Sequence, residues 1–195
     1  MVLASASTVR ATLLRSAGIH PEIVPAHVDE DEIKRAFRAE GRSALDAAIA
    51  LAEVKAMRIS RHHPGALVIG ADQILVCGAE WFDKPVDLDH ARAHLRTLRG
   101  KAHGLATAAV VVRDGQRIWH HGATPMLTMR DFTDGFLDDY LAREGDDVLT
   151  SVGVYKLEGR GVQLFSRIDG DFFTILGLPL LQLLGFLREH GVVGT

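Results

Sequence analysis

Four polar clusters interrupt an otherwise apolar-patterned chain: Ser5-Ala6-Ser7-Thr8-Val9-Arg10, Val28-Asp29-Glu30, Gly70-Ala71-Asp72-Gln73 and Asp83-Lys84-Pro85. They alternate between hydrogen-bond donors and carboxylates, and if they converge they supply what a metal and a polyphosphate substrate need. Asp72 leads the candidates. Residues 66–73 are apolar up to a glycine, an alanine and one carboxylate, which suits a strand buried on both faces with Asp72 at its carboxyl tip. Open α/β sheets collect ligands outside such tips. Asp72 and Gln73 also suit a capped turn before the next strand, and the run alone leaves both readings open.

The first cluster places small hydroxyl residues between a short strand and a helix start. There, backbone N–H groups and the positive end of the helix dipole can cradle a phosphate. Arg10, one turn on, can add a bidentate phosphate contact; the alternative is a plain helix cap by Ser7 or Thr8, with Arg10 in solvent. Lys84 precedes Pro85, which fixes the backbone beyond it. Lys55 lies on or beside a helical apolar stripe, from which it can reach a site or simply snorkel to the surface. No Walker loop occurs, and Gly159-Arg160-Gly161 does not follow a strand in the dinucleotide pattern, which excludes P-loop and Rossmann chemistry.

The elements that must carry these residues belong to an ordinary globular chain. Its 195 residues suffice for one domain or two small lobes around a substantial core. No apolar stretch approaches bilayer-crossing length. The first residues lack the basic and apolar regions of a secretory signal, and the single cysteine, Cys77, reads as a small strand hydrophobe in a reducing compartment. Both features lead us to expect a cytoplasmic protein. With 22 basic residues against 25 acidic ones and a net charge of -3, nothing draws the chain to a nucleic acid polymer or an anionic membrane. Among its ten histidines, His62-His63, His90, His94 and His120-His121 show no zinc-site spacing and read as surface residues.

Residues 2–5 read as a short strand and residues 8–17 as a helix ended by Gly18. Ser43-Ala44-Leu45-Asp46 resembles a capping box that opens a helix to about residue 61. The strand ending at Asp72 is followed by a second apolar segment, 74–77, closed by Gly78. Leu88, Ala91, Leu95 and Leu98 form a helical stripe capped by Asp87 and stopped by Gly100. Asp114-Gly115, between β-like runs at 105–113 and 117–121, is the strongest hairpin signal. Thr133 opens a helix to about residue 143, residues 161–168 alternate like a strand, and Leu178-Pro179 starts a closing helix that Gly191 ends. The class is mixed α/β with some antiparallel pairing.

The clusters, in their order and spacing, resemble the Maf family of nucleoside triphosphate pyrophosphatases over residues 2–188. The matching pieces are Leu3-Ala4-Ser5-Ala6-Ser7 with Arg10 and Leu13-Leu14, then Val28-Asp29-Glu30, Lys55-Ala56, Gly70-Ala71-Asp72 and Lys84-Pro85. They continue with Gly153-Val154-Tyr155-Lys156-Leu157-Glu158-Gly159 and Gly177-Leu178-Pro179. The resemblance implies a single Maf-like domain over 1–195, an ITPase-like mixed sheet flanked by helices, with two lobes around a central nucleotide-binding cleft. It implies hydrolysis between the α and β phosphates to a nucleoside monophosphate and pyrophosphate, with magnesium or manganese. It makes Asp72 the acceptor of the water proton. Glu30 joins it in holding the metal or orienting that water, and Ser7, Arg10, Lys55 and Lys84 contact phosphates. A homodimer is implied in the same way.

Two subgroups of the family resemble pyrimidine nucleotide hydrolases and 7-methyl-GTP hydrolases, and they differ at positions 9, 73 and 158. The first carries Arg, Thr and Gln there, the second Trp, Gln and Glu; this chain has Val9, Gln73 and Glu158. A carboxylate at 158 can accept two hydrogen bonds from a guanine edge, and methylation at N7 strengthens those donors. Trp81, Phe82 or Tyr155 could supply the aromatic face that Val9 lacks. The resemblance therefore points to 7-methyl-GTP or a related modified nucleotide. The alternatives are a dTTP/UTP pyrophosphatase, or a nucleotide-binding regulator of cell division with little turnover.

Overall fold

The computed structural model describes residues 1–194. In chain order its elements are β1 (Val2–Leu3), α1 (Thr8–Ser16), β2 (Glu22–Ile23), α2 (Glu30–Ala39), α3 (Ala44–Ser60), β3 (Val68–Cys77), β4 (Glu80–Phe82) and α4 (Leu88–Leu98). There follow β5 (Ala102–Arg113), β6 (Gln116–Ala123), β7 (Met126–Met129), α5 (Asp134–Glu144), β8 (Phe165–Asp169), α6 (Phe172–Ile175) and α7 (Leu180–Glu189). Eight strands form a mixed sheet in the order β2-β1-β3-β5-β7-β8, with β4 paired to β3 and β6 to β5. β1 runs parallel to β2 and β3, whereas β6 and β7 run antiparallel to β5. The mixed α/β class read from the sequence is the class observed.

By internal contacts the chain forms two compact units, one of residues 1–73, 106–124 and the stretch from 171 onward, the other of residues 74–105 and 125–170. In the first unit the period-2 alternation of the strands feeds two cores. Leu3, Ile69, Ala71, Ala109 and Val111 pack with Leu14 of α1 and Leu183 and Leu187 of α7. Val2, Ala4, Val68, Val110 and Val112 pack with Ala52, Ala56 and Ile59 of α3. Helices thus cover both faces, and for that reason these strands are apolar on both faces. Gly70 lies on the α3 side, where a Cβ would fall 2.0 Å from the Ala52 carbonyl oxygen. Only glycine lets the α3 backbone come that close.

In the second unit, Asp87 caps α4 through the His90 amide and Thr133 caps α5 through the Phe136 amide, as their sequence positions led us to expect. Leu95, Leu98, Leu127, Met129, Leu137 and Leu141 are buried there. In the first unit, the Asp114-Gly115 turn takes positive φ at both residues, 50° and 74°, the conformation that a two-residue hairpin requires.

Several expectations need correction. β3 runs unbroken from Val68 to Cys77, so Asp72 lies within a strand rather than at its tip, and the two expected apolar segments are one. Pairing of Leu75, Val76 and Cys77 with Phe82, Trp81 and Glu80 extends the strand beyond Asp72. α2 was not foreseen: none of its residues is buried, so it lacks an apolar stripe with a core to face. Residues 160–164 form a 3-10 turn, and the strand after them starts at Phe165, where pairing with Met129 begins. The closing helix starts at Leu180 and ends at Glu189. His94 is buried, only 8% exposed, with its ring edge-on to Phe82; three residues after Ala91 and four before Leu98, it falls on the apolar stripe of α4. Among the described residues, no helix is long and apolar enough to cross a membrane.

Candidate active site

The apolar stripe of α3 carries Ala48, Ala52, Ala56 and Ile59 into the core, and Lys55 goes with them, 7% exposed. Its methylene stem lies among apolar neighbours while its ammonium must find counter-charges. Two are supplied: Lys55 Nζ stands 2.6 Å from Glu30 Oε1 and 2.6 Å from Asp72 Oδ1. Asp72 comes from β3, two residues past Gly70 and on the same face, so the close approach of α3 at Gly70 brings lysine and aspartate together. Glu30 opens α2 directly after its N-cap Asp29, whose side chain accepts from the Glu32 amide. A carboxylate is favoured at that helix end. Lys34, one turn on, lies 3.8 Å from Glu30 Oε2.

The two carboxylates differ in proton affinity. Burial pushes the Asp72 carboxyl up, reinforced by the Glu30 charge and opposed by Lys55 and Arg10. For Glu30, burial again opposes ionisation, but the Lys55 ammonium, with Lys34 and Arg10, outweighs it and holds the carboxyl below the usual range. A pair of acids separated in this way can divide the roles of base and permanent anion. Asp72 Oδ2 is buried without a hydrogen-bond partner among the described residues. This donor set fits a hard cation. Among the described residues there is no cluster of three or more His, Cys, Asp or Glu that could hold a metal ion by itself.

Ser7 is the N-cap of α1, its hydroxyl accepting from the Arg10 amide at 3.4 Å. Arg10 does not stand in solvent: Nε donates to the Gly177 carbonyl at 2.8 Å, and Nη1 to the Ala71 carbonyl at 3.0 Å and Ser5 Oγ at 3.2 Å. It ties the strand just before Asp72 to the loop that leads into α7. Gly177 adopts φ +100°, and a Cβ there would meet Arg10 Nε at 3.3 Å. Val9 is half-buried in the first turn of α1.

Gln73 faces away from Asp72, its Nε2 donating to Thr107 Oγ1 at 2.8 Å and to the carbonyls of Ile175 and Thr174 at 3.0 and 3.3 Å. Glu30, Lys55 and Asp72 thus meet directly, with Arg10 close enough to influence both acids, whereas Lys84 and Glu158 are exposed residues of the second unit. Two of the aromatic candidates in that unit, Phe82 and Tyr155, do not offer open faces. Phe82 and Tyr155 are 4% and 5% exposed, and Tyr155 packs edge-on to Phe165. Sequence reasoning missed Thr107, although it is the one hydroxyl in the apolar run 105–112, and that is a legible signal. The carbonyls of α6 left none.

A nucleoside triphosphate pyrophosphatase from Granulibacter bethesdensis is 57% identical over 190 residues, covering 97% of this chain and 96% of that protein. One of the same description from Paramagnetospirillum magneticum is 56% identical, covering 97% and 98%. A 7-methyl-GTP pyrophosphatase from Rhizobium meliloti is 48% identical over 193 residues, covering 99% and 97%. The family profile described as Maf-like protein matches residues 1–190, and with relatives this similar along almost its whole length, the chain belongs to the Maf-like protein family.

Proposed function

We propose that this protein hydrolyses 7-methyl-GTP or a related modified nucleotide, as a nucleoside triphosphate pyrophosphatase that cleaves the α–β phosphoanhydride. The observation that carries the reaction is the buried Asp72, with raised proton affinity, one oxygen on Lys55 and the other without a partner among the described residues. Asp72 accepts the proton of the attacking water at Oδ2, while Lys55 keeps its other oxygen in place. Lys55 also holds Glu30 and adds positive charge beside the phosphate chain. Arg10 keeps the β3 backbone and the Gly177 loop in register with that chain, and the N-terminal turn of α1, capped by Ser7, offers amides to phosphate oxygens. Lys84 is the further phosphate contact suggested by the family pattern.

Glu30 and Asp72 would hold a magnesium or manganese ion, which when bound supplies charge neutralisation for the phosphate oxygens. The base preference is supported by Gln73 and Glu158 and by relatives named 7-methyl-GTP pyrophosphatase. The test is a panel of 7-methyl-GTP, GTP, dTTP and UTP with the full chain and magnesium, with both products identified. The highest kcat/KM is expected for 7-methyl-GTP, with pyrophosphate and monophosphate formed. A pyrimidine preference would overturn the base choice, and release of single orthophosphate would overturn the reaction.

A further inference from the structure

Strand alternation turns Gln73 to the face opposite Asp72. Its carboxamide nitrogen meets three oxygens, Thr107 Oγ1, Ile175 O and Thr174 O, at 2.8, 3.0 and 3.3 Å. Main-chain carbonyls only accept, so the nitrogen end must face them; the reverse flip would set Oε1 against two carbonyl oxygens. Two amide hydrogens serve three acceptors, and every donor of Gln73 is engaged inside the protein. Only Oε1 remains, on a half-buried side chain, and it can only accept.

The framework around this amide is itself held. Thr107 is fully buried in β5 on the face it shares with Ala109 and Val111. The Asp171 carboxylate accepts from both the amide and the hydroxyl of Thr174, at 2.7 and 2.6 Å, which pins the turn that presents the two carbonyls. Arg10 holds the same segment at Gly177.

We propose that Thr107 is a specificity-positioning residue: the α6 carbonyls fix which end of the Gln73 amide faces inward, and Thr107, its shortest contact, fixes where that amide sits, so that the carbonyl oxygen is offered to the nucleobase at a set place. The preferred base must then turn an N–H donor toward Gln73; guanine carries three such hydrogens, on N1 and the 2-amino group, whereas uracil carries one, on N3, between two carbonyl oxygens. A base presenting an acceptor would set two oxygens against each other and leave both unpaired. An amide without the Thr107 contact keeps its orientation but swings about the two carbonyls, so its oxygen no longer meets the base at one place and selectivity falls. The inference rests on the reading of Gln73 as a base-selecting residue.

The experiment compares wild type, Thr107→Val and Thr107→Ser as full-length chains, with KM and kcat for 7-methyl-GTP and UTP. Thr107→Val is expected to reduce the kcat/KM ratio between the two nucleotides by about fivefold or more, the scale of one lost hydrogen bond, with the change in KM rather than kcat. Thr107→Ser should restore the ratio to within about twofold of wild type. An unchanged ratio in Thr107→Val, or a Thr107→Ser as impaired as the valine variant, overturns the proposal. If wild type prefers UTP, the substrate reading fails while this one is still decided by whether Thr107→Val compresses the ratio. A measurement independent of turnover is hydrogen exchange of the Gln73 side-chain amide by NMR, identified by its loss in Gln73→Leu. Slow exchange in the free wild-type protein supports the lock, and exchange as fast as that of an exposed glutamine overturns it.

Discussion

In the first unit, Lys55 Nζ lies 2.6 Å from a carboxylate oxygen of both Glu30 and Asp72; in the second, His103 Nε2 lies 2.8 Å from Tyr155 Oη, and Tyr140 Oη donates to the Val154 carbonyl at 2.9 Å. Both are buried polar clusters, but they carry charge differently. Desolvation takes the His103 imidazole down to about 4 and pushes the Tyr155 and Tyr140 hydroxyls up, so all three are neutral near pH 7. With no counter-charge to stabilise an ion, burial selects the uncharged form. In the Lys55 cluster an ammonium offsets two carboxylates, and charge persists. Each cluster leaves one buried polar atom without a partner among the described residues, Asp72 Oδ2 in the first and His103 Nδ1 in the second, so charge is what separates them. A neutral buried pair specifies packing, whereas a buried charge with an open valence can act on a substrate.

The largest effect that could break this contrast is on turnover. Asp72→Asn should lower pyrophosphate release by about 10²–10⁴-fold, with a thermal midpoint at or above wild type, since burial opposes the native carboxylate. Near-normal release would remove Asp72 from the chemistry. Lys55→Met strands two carboxylates beside each other and should cost about 3–5 kcal/mol in urea unfolding; a loss within error would show that the cluster needs no counter-charge.

The neutral cluster should reveal itself through pH. His103 titrates near 6.5 when unfolded and about 4 when folded, so between those values the unfolded chain binds the extra proton and stability falls as pH falls. The contribution, about 3 kcal/mol over the shift, is complete above pH 6.5 and lost towards pH 4. Urea unfolding of wild type against His103→Gln at pH 7 and 4.5 measures it, and a pH-independent difference would contradict a neutral His103. The smallest effect is for Tyr155→Phe, about 1–2 kcal/mol from one buried hydrogen bond. It should leave the acid-side loss of stability in place, because burial rather than the tyrosine sets the His103 shift.

Much of the fold was legible because caps and stripes are local. Ser43, Asp87 and Thr133 each bond an amide three residues on, so their helices could be read from neighbouring letters. α2 escaped because it buries nothing, and the break expected at Asp72 vanished because a strand's end depends on its partner. Glu30, Lys55 and Asp72 were legible as candidates, but not the lysine standing between the acids. Arg10 suits a phosphate contact or a solvated cation by sequence; it is not solvated, because Nη1 and Nε hold backbone carbonyls 61 and 167 residues away, which no local pattern shows.

By itself the sequence determined the mixed α/β class, the helix caps, the hairpin turn and the set of side chains capable of phosphate chemistry, because each depends on residue type and on neighbours within a turn or two. Only the tertiary structure decided which of these meet. Lys55 reaches Asp72 because Gly70 lets α3 settle onto β3. Gln73 shows one end of its amide because its acceptors lie 34 to 102 residues away. Such contacts follow from how layers pack and how strand alternation parts adjacent residues onto opposite faces, and no local pattern encodes the distance between them.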